Sequence, residues 1–499
     1  MITDQWQAIK DHQPGKLCDL FESDQNRAEK YSFEEAGIFF DFAKTHFDDD
    51  LIKKFSALSK TLGLGHKITA LFDGEKVNTS EARSAEHGAE RGSGNMQSVD
   101  NAEMLRRRMY GLAEAISNEA FGPIKHIIHL GIGGSALGPE LLLSALSLGD
   151  EKYETAVVSN IDGAALEPVL ERFDAHATLL VVASKTFTTT ETLLNAQTTL
   201  DWMKEEGVDD PYGRVIGLTA APDKAVEWGL DESRILPFSD NVGGRYSLWC
   251  SISFAVVLAL GPEAFDDMLR GAKAMDDHFR TNELSANIPV IAAFADQYYN
   301  QVRGCETRAV FAYDERLRLL PDYLQQLEME SNGKSVTSDG DRLELQSSPI
   351  VWGGVGTDAQ HAVFQLLHQG TRLVPVEFVA VVEAGDSLSP DHHRALLMNC
   401  FAQGAALMEG KNSDNANRNY PGDRPSVTIL LDELSPKSLG ALLAFYEHRT
   451  FVNSILLNIN PFDQFGVELG KLMANQLLSG GGDKMDSSTE QLKKRAFAA

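Results

Sequence analysis

Residues 178–192 read TLLVVASKTFTTTET, and the change of character at Ser184 decides the fold. The apolar, β-rich run Thr178–Ala183 is a strand candidate. It turns through Ser184–Lys185–Thr186–Phe187–Thr188–Thr189 into a helical stretch predicted over Thr189–Lys204, with Thr188 and Glu191 spaced as a capping box. One ammonium and four hydroxyls at a helix N-terminus suit a phosphate monoester, which offers three acceptor oxygens and nearly two charges. A Thr-rich cap beside a surface lysine would look the same.

Working outward, the rhythm of strand, turn and helix runs from Met104 to about Ala274. Further strands are predicted at His126–Leu130, Thr155–Ser159, Val215–Thr219 and Arg234–Leu236, with a helix over Gly138–Leu148 and a buried one over Leu248–Leu260. After a helical connection, Ala264–Arg303, the rhythm resumes with strands at Arg308–Tyr313, Ile350–Gly353, Glu377–Val382 and Val427–Leu431. Such alternation argues for parallel strands with crossover helices. Glycine-bearing junctions recur in both halves, LGIGGSALGPE in the first and WGGVGTDAQHAVFQ in the second, which points to two related α/β domains. Residues 1–103 read as a mostly helical extension. Ser32–Glu35 fits a capping box, with Ile38, Phe39, Phe42 and Ala43 at helical spacing, and Leu51–Leu62 repeats the pattern. The stretch 86–98 is polar and Gly-rich, and reads as a loop without chemistry, where packing and oligomer contacts are the expected roles. After Gly466 come a helix, a Gly-rich break at Ser479–Asp483 and a charged end.

At 499 residues the chain is too long for one ordinary core. Its 45 basic and 72 acidic residues give a net charge of −27, which argues against nucleic-acid or anionic-membrane partners. Any phosphate site must therefore be built locally from lysine, arginine and backbone amides. Cys18, Cys250, Cys305 and Cys400 form no CxxC pair, so neither a disulfide framework nor a zinc site is expected. The N-terminus lacks the apolar segment of a signal peptide, and no apolar run is long enough to span a bilayer. A soluble, cytoplasmic protein is the expectation.

Five more stretches carry chemistry. Gly131–Ala136 (GIGGSA) sits between strand and helix, where glycines let backbone amides approach an anion. It also fits the GxGxxA form of a dinucleotide fingerprint. That fold wants an acidic residue about 20 positions on, and Asp162 comes roughly ten too late. A tight turn packing helix on strand is the plain alternative. In DNVGGRYS (240–247), Arg245 follows two glycines and can stabilise an oxyanion, or simply close a loop salt bridge. QQLEMESNGKS (325–335) follows the predicted helix Leu317–Leu327 and breaks at Ser331–Asn332–Gly333, where Glu330 can point into a cleft and accept a proton. Solvated glutamates are also common at such places. His361 and His368, seven apart in GTDAQHAVFQLLHQG, have no metal spacing, and Lys471 closes NPFDQFGVELGK.

Taken together, these stretches resemble the glucose-6-phosphate isomerase (phosphoglucose isomerase) family. DNVGGRYSLWCSIS and NPFDQFGVELGK are similar to its two signatures, and SKTFTTTET, MESNGKS and GTDAQHAVFQLLHQG to its other site segments, over residues 120 to 475. The resemblance implies two sugar-isomerase (SIS) domains of doubly wound α/β type over 104–275 and 276–466. A helical N-terminal extension over 1–103 would pack on the second domain, and a C-terminal helical arm would follow over 467–499. It implies phosphate binding by Gly134, Ser135, Ser184, Lys185, Thr186 and Thr189, and substrate contact by Gln326. Glu330 would be the base and Arg245 would stabilise the intermediate. His361, supplied by a partner subunit, and Lys471 would assist ring opening. The substrate would be a sugar phosphate and the assembly a homodimer with shared sites, with no metal or organic cofactor. Two rival functions stand beside this one: a non-catalytic sugar-phosphate sensor, and a nicotinamide dehydrogenase resting on the glycine loop.

Overall fold

Eleven strands are present among the described residues: β1 Ser32–Glu35, β2 Ile38–Asp41, β3 His126–Leu130, β4 Glu154–Val158, β5 Thr178–Ala183, β6 Val215–Thr219, β7 Ile235–Pro237, β8 Thr307–Tyr313, β9 Ile350–Val355, β10 Val376–Val381 and β11 Ser426–Leu431. They form two sheets in a computed structural model that describes residues 2–149, 151–479 and 485–497. The first sheet has the order β4-β3-β5-β6-β7, and every pairing in it is parallel. In the second, β11-β10-β8-β9 are parallel and the hairpin β1–β2 joins the β11 edge antiparallel. All nine strands expected in the two α/β halves are present, with ends shifted by a residue or two.

The expected helix over residues 32–43 is instead that hairpin. Ile38 and Phe40 are fully buried while Phe39 is 39% exposed, an alternation of period two that the four apolar positions masked. Phe40 packs on Phe445 at 4.8 Å between centroids, so pairing with β11 buries more than an isolated amphipathic helix could. Elsewhere in residues 1–103 helices do dominate, as in Asp49–Thr61, which Asp48 caps by accepting from the Leu51 amide. The predicted Leu248–Leu260 helix is three pieces: 3-10 turns at Gly244–Trp249 and Ser251–Ser253, then an α-helix at Phe254–Leu260.

Parallel strands buried on both faces need apolar runs. β5 supplies one, every residue of it being buried. Its side chains Leu180 and Val182 sit in a cluster with Ile128, Leu130, Leu200 and Met203. In the second sheet Phe311, Tyr313 and Phe378 play the same part against Phe364 and Leu367.

The helix Pro436–Leu457 is buried along its whole length from Ser438 onward. It carries three consecutive ionisable residues into the interior, and each is matched there. Glu447 meets Arg91 and accepts from Trp249 Nε1 at 2.8 Å. His448 Nε2 bonds Asp276 Oδ1 at 2.7 Å. Arg449 grips Asp296 and Glu377, each at 2.5 Å. Removing one partner from such a buried pair typically costs about 3–5 kcal/mol. These contacts also show that residues 86–98 are no idle loop: His87, Glu90 and Arg91 are buried there.

Two units are distinguished along the chain, Met1–Pro461 and Phe462–Ala499. The second holds the helices Glu468–Ser479 and Ser487–Ala496. Of the Gly-rich break read at Ser479–Asp483, residues 480–483 lie outside the described residues. Among the described residues no helix is long and apolar enough to cross a membrane.

Candidate active site

β3 and β5 are neighbours, with Leu130 opposite Val182. The Gly131–Ala136 and Ser184–Thr189 turns therefore leave adjacent carboxyl ends of one sheet, where open α/β folds bind ligands. In the second turn Ser184 and Thr189 place their hydroxyl oxygens 3.1 Å apart, and Thr186 and Thr188 do so at 2.8 Å. Phe187, between them, is held at φ +51 with its ring buried 5.7 Å from that of Trp228. A bulky residue in the left-handed region is strained, and such strain gathers at ligand-binding turns. Among the described residues the amides of Lys185 and Thr186 have no hydrogen-bond acceptor, which suits an anion cradle. The helix begins at Thr190, and its N-cap Thr189 makes no side-chain cap bond. The expected Thr188–Glu191 capping box is thus absent, because those hydroxyls bond one another across the turn.

Lys185 projects to the loop that carries the arginine. Its ammonium donates to the carbonyls of Asp240 at 2.7 Å and Val242 at 3.0 Å, and lies 3.3 Å from Asp240 Oδ1. The same loop is held from the N-terminal segment. Arg83 Nη1 bonds Asp240 Oδ2 at 2.5 Å, and Asn241 Nδ2 donates to Glu86 Oε2 at 3.1 Å.

Gly134 packs directly on Gly244. A Cβ on Gly134 would run into the Gly244 carbonyl, and one on Gly133 would lie 2.9 Å from Gln326 Nε2. Backbone approach this close needs glycine, and it seats the GIGGS turn against both the arginine loop and Gln326. Ser247 Oγ bonds the Gly244 carbonyl at 2.7 Å and lies 3.3 Å from that of Gly134. Ser135 is half-buried in the turn, its carbonyl fixed 2.7 Å from His129 Nε2.

Arg245 is buried. Its Nε donates to Ser331 Oγ at 2.6 Å, Nη2 donates to the Pro461 carbonyl, and Nη1 lies 3.6 Å from Glu330 Oε2. Tyr246 shares Ser331 Oγ at 2.9 Å and stacks on His87 at 4.7 Å. Ser331, which received no role from sequence, is thus the joint between the arginine and the glutamate segments.

Glu330 does not sit past the helix end as expected. The chain passes from the α-helix Leu320–Leu324 into a π turn, Gln325–Glu330, and stays helical through Asn332. Such wide turns recur at functional sites. Glu330 Oε2 is buried and has no hydrogen-bond partner among the described residues. Two residues earlier, Glu328 is locked into the interior against Arg308, which also meets Glu377 at 3.2 Å. A buried carboxylate oxygen 3.6 Å from a guanidinium and otherwise unbonded is poised to accept a proton from a bound molecule.

Two more expected site residues, His361 and Lys471, are exposed on the chain. His361 is exposed on the short helix Gly356–Ala362, which Tyr313 braces by a 3.0 Å bond to Gln360. His368 belongs to a separate helix, Phe364–Gln369, and bonds Gln403 at 2.8 Å. The two histidines do not share one helical face, because the helix breaks at Val363. Lys471 is exposed on the helix Glu468–Ser479 of the second unit.

The phosphoglucose isomerase profile matches residues 41–492. This chain belongs to the phosphoglucose isomerase family. It is 63% identical to the glucose-6-phosphate isomerase of Rhizorhabdus wittichii over 99% of this chain and 98% of that one. It is 58% identical to the glucose-6-phosphate isomerase of Novosphingobium aromaticivorans over 98% and 97%. The crystal structure of a glucose-6-phosphate isomerase from Chlamydia trachomatis superposes with a TM-score of 0.91 at 29% identity, covering 100% of this chain and 99% of that one. The α/β fold described above is accordingly one that this chain shares with that enzyme.

Proposed function

We propose that the protein interconverts glucose 6-phosphate and fructose 6-phosphate, the reaction named by the relatives it resembles along its length. The observation that carries this reading is the half-buried Glu330 carboxylate, whose buried Oε2 has no hydrogen-bond partner among the described residues and lies 3.6 Å from the Arg245 guanidinium.

Aldose–ketose exchange must open the sugar ring and then move a proton from C2 to C1. In this reading His361 of a partner subunit and Lys471 pass protons between the ring oxygen and O1, and a homodimer follows from that sharing. The exposure of His361 supports its being offered to a second copy. Glu330 takes the proton from C2 and returns it to C1, the two carbons being adjacent. Arg245 stabilises the negative charge that develops on the enediolate oxygens. One positioned acid–base group is worth roughly 10² to 10⁴-fold in rate, and one donor to a developing oxyanion about 3 kcal/mol.

Remote from the reacting bonds, Gly134, Ser135, Ser184, Lys185, Thr186 and Thr189 grip the phosphate and Gln326 contacts the sugar. That grip holds C1 and C2 over the base, which lowers the barrier without touching the bonds that change. The division into SIS domains over 104–275 and 276–466, and a cytoplasmic location, belong to the same reading.

A coupled assay run from fructose 6-phosphate, with NAD titrated into the purified protein alongside, tests it. Glucose 6-phosphate should form with no added cofactor. Binding of the sugar phosphate without turnover would favour a sensor, and saturable NAD binding a dehydrogenase.

A further inference from the structure

Arg245 stands two glycines beyond Val242, and Gly243–Gly244 give that approach little stiffness of its own. Its placement depends on what holds residues 240–242. Arg83 and Glu86 hold that segment from the N-terminal part of the chain, and Lys185 holds it from the Ser184–Thr189 turn. The Lys185 ammonium donates to two carbonyls of this segment, at 2.7 and 3.0 Å, and pairs with the Asp240 carboxylate at 3.3 Å. The main chain of Lys185 is fixed as well, its carbonyl accepting from the Ala220 amide and Thr219 Oγ1, both at 3.0 Å. Its own amide has no acceptor among the described residues and is left for the cradle. One residue thus faces the phosphate with its backbone and the arginine loop with its side chain.

We propose that Lys185 is a positioning residue, its ammonium latching the segment Asp240–Arg245 to the phosphate-binding turn so that filling the turn also sets Arg245. This rests on the isomerase reading above and assigns the lysine side chain a part in turnover rather than in direct charge pairing with the phosphate. A misplacement of about 1 Å at a reacting group can cost 10²-fold, so loss of the latch falls on kcat. The grip on phosphate, built from backbone amides and hydroxyls, survives.

The test is Lys185→Met beside Lys185→Arg, assayed with fructose 6-phosphate and with inorganic phosphate as competitive inhibitor. Hydrogen exchange is followed over residues 240–247 and 178–183. For Lys185→Met we expect kcat to fall at least about tenfold, while KM and the phosphate inhibition constant stay within about threefold. Exchange should quicken at 240–247 and not at 178–183, and Lys185→Arg should recover most of the lost turnover. A parallel rise in KM and in the phosphate inhibition constant with kcat intact would overturn the proposal and make the ammonium a direct phosphate ligand. Unchanged exchange at 240–247 would overturn it as well. Should Lys185→Met not fold, Asp240→Asn loosens the same latch from the other end and should show the same split on a smaller scale; a change confined to KM would again refute it. The exchange measurement needs no substrate, so failure of the latch and failure of the isomerase reading are told apart.

Discussion

Glu328 and Glu330 lie two residues apart in one π turn, and among the described residues Glu328 is hydrogen-bonded to an arginine whereas Glu330 meets one only at 3.6 Å. Glu328 is held by Arg308 among buried charges, whereas Glu330 keeps an oxygen without a hydrogen-bond partner. The two carboxylates should therefore fail in different ways. Glu330→Gln is expected to lower kcat by several orders of magnitude while sugar-phosphate affinity and melting temperature barely move. Glu328→Gln, which leaves Arg308 short of a charge, should cost about 3 kcal/mol or more of stability. Thermal melts and steady-state kinetics on both variants check this. A Glu330→Gln enzyme within about tenfold of wild type would require another base.

Ser331 Oγ joins two buried groups, accepting from Arg245 Nε and sharing a hydrogen bond with Tyr246 OH. Ser331→Ala should destabilise the fold by about 1–3 kcal/mol, since two buried polar groups lose a partner. It should also reduce kcat about tenfold or more, because the guanidinium loses the bond that sets its plane. Stopped-flow or coupled kinetics with a melting curve separates the two effects.

Burial pushes Glu90 from its ordinary 4.5 up to about 8, with Glu86 adding to the shift and Arg106 opposing it. The folded chain thus keeps a proton that the unfolded chain releases earlier. Its contribution to stability is full below pH 4.5 and is lost as pH rises through about 8. Glu90→Gln, which mimics the protonated form, should match wild type near pH 5 and exceed it near pH 8.5 by on the order of a few kcal/mol. Melts at the two pH values decide it, and an equal offset at both would refute the assignment.

Ala36 occupies the left-handed region at φ +54 beside Gly37 at φ +75, in the turn between β1 and β2. An L-residue with a Cβ carries a cost of roughly 1–2 kcal/mol there, and two-residue hairpin turns of this type favour Asn-Gly. Ala36→Asn should raise stability by about 1 kcal/mol with activity unchanged, measured by chemical denaturation. A loss of stability would mean that this edge depends on the alanine methyl.

Much of the framework was legible because β3, β5 and β6 are short apolar runs bounded by turn residues, and burial on both faces demands such runs. The hairpin was not, because Ile38, Phe39, Phe42 and Ala43 happen to fit a helical period and only pairing with β11 selects the strand. The glycine turns were legible as anion sites, yet their actual company, Gly134 on Gly244 and Gly133 beside Gln326, depends on segments over a hundred residues away. Glu330 could be singled out, but the π turn could not, since a shift in backbone hydrogen-bond register leaves no mark in residue spacing. Residues 86–98 were legible as a loop with a packing role, but the depth of their burial was not, for a related reason. Polar composition signals exposure, and only Asp276 and Glu447, far along the chain, turn Arg91 into an interior residue.

The helix Pro436–Leu457 has a bearing on how the protein is made. The ribosome delivers it, like β11, long after β2, which β11 must meet. Until then Arg91, Asp276 and Trp249 await their last neighbours, and the second sheet lacks a strand. The β2 edge thus waits for its partner while hundreds of residues emerge, a long window in which chaperones have apolar surface to shield.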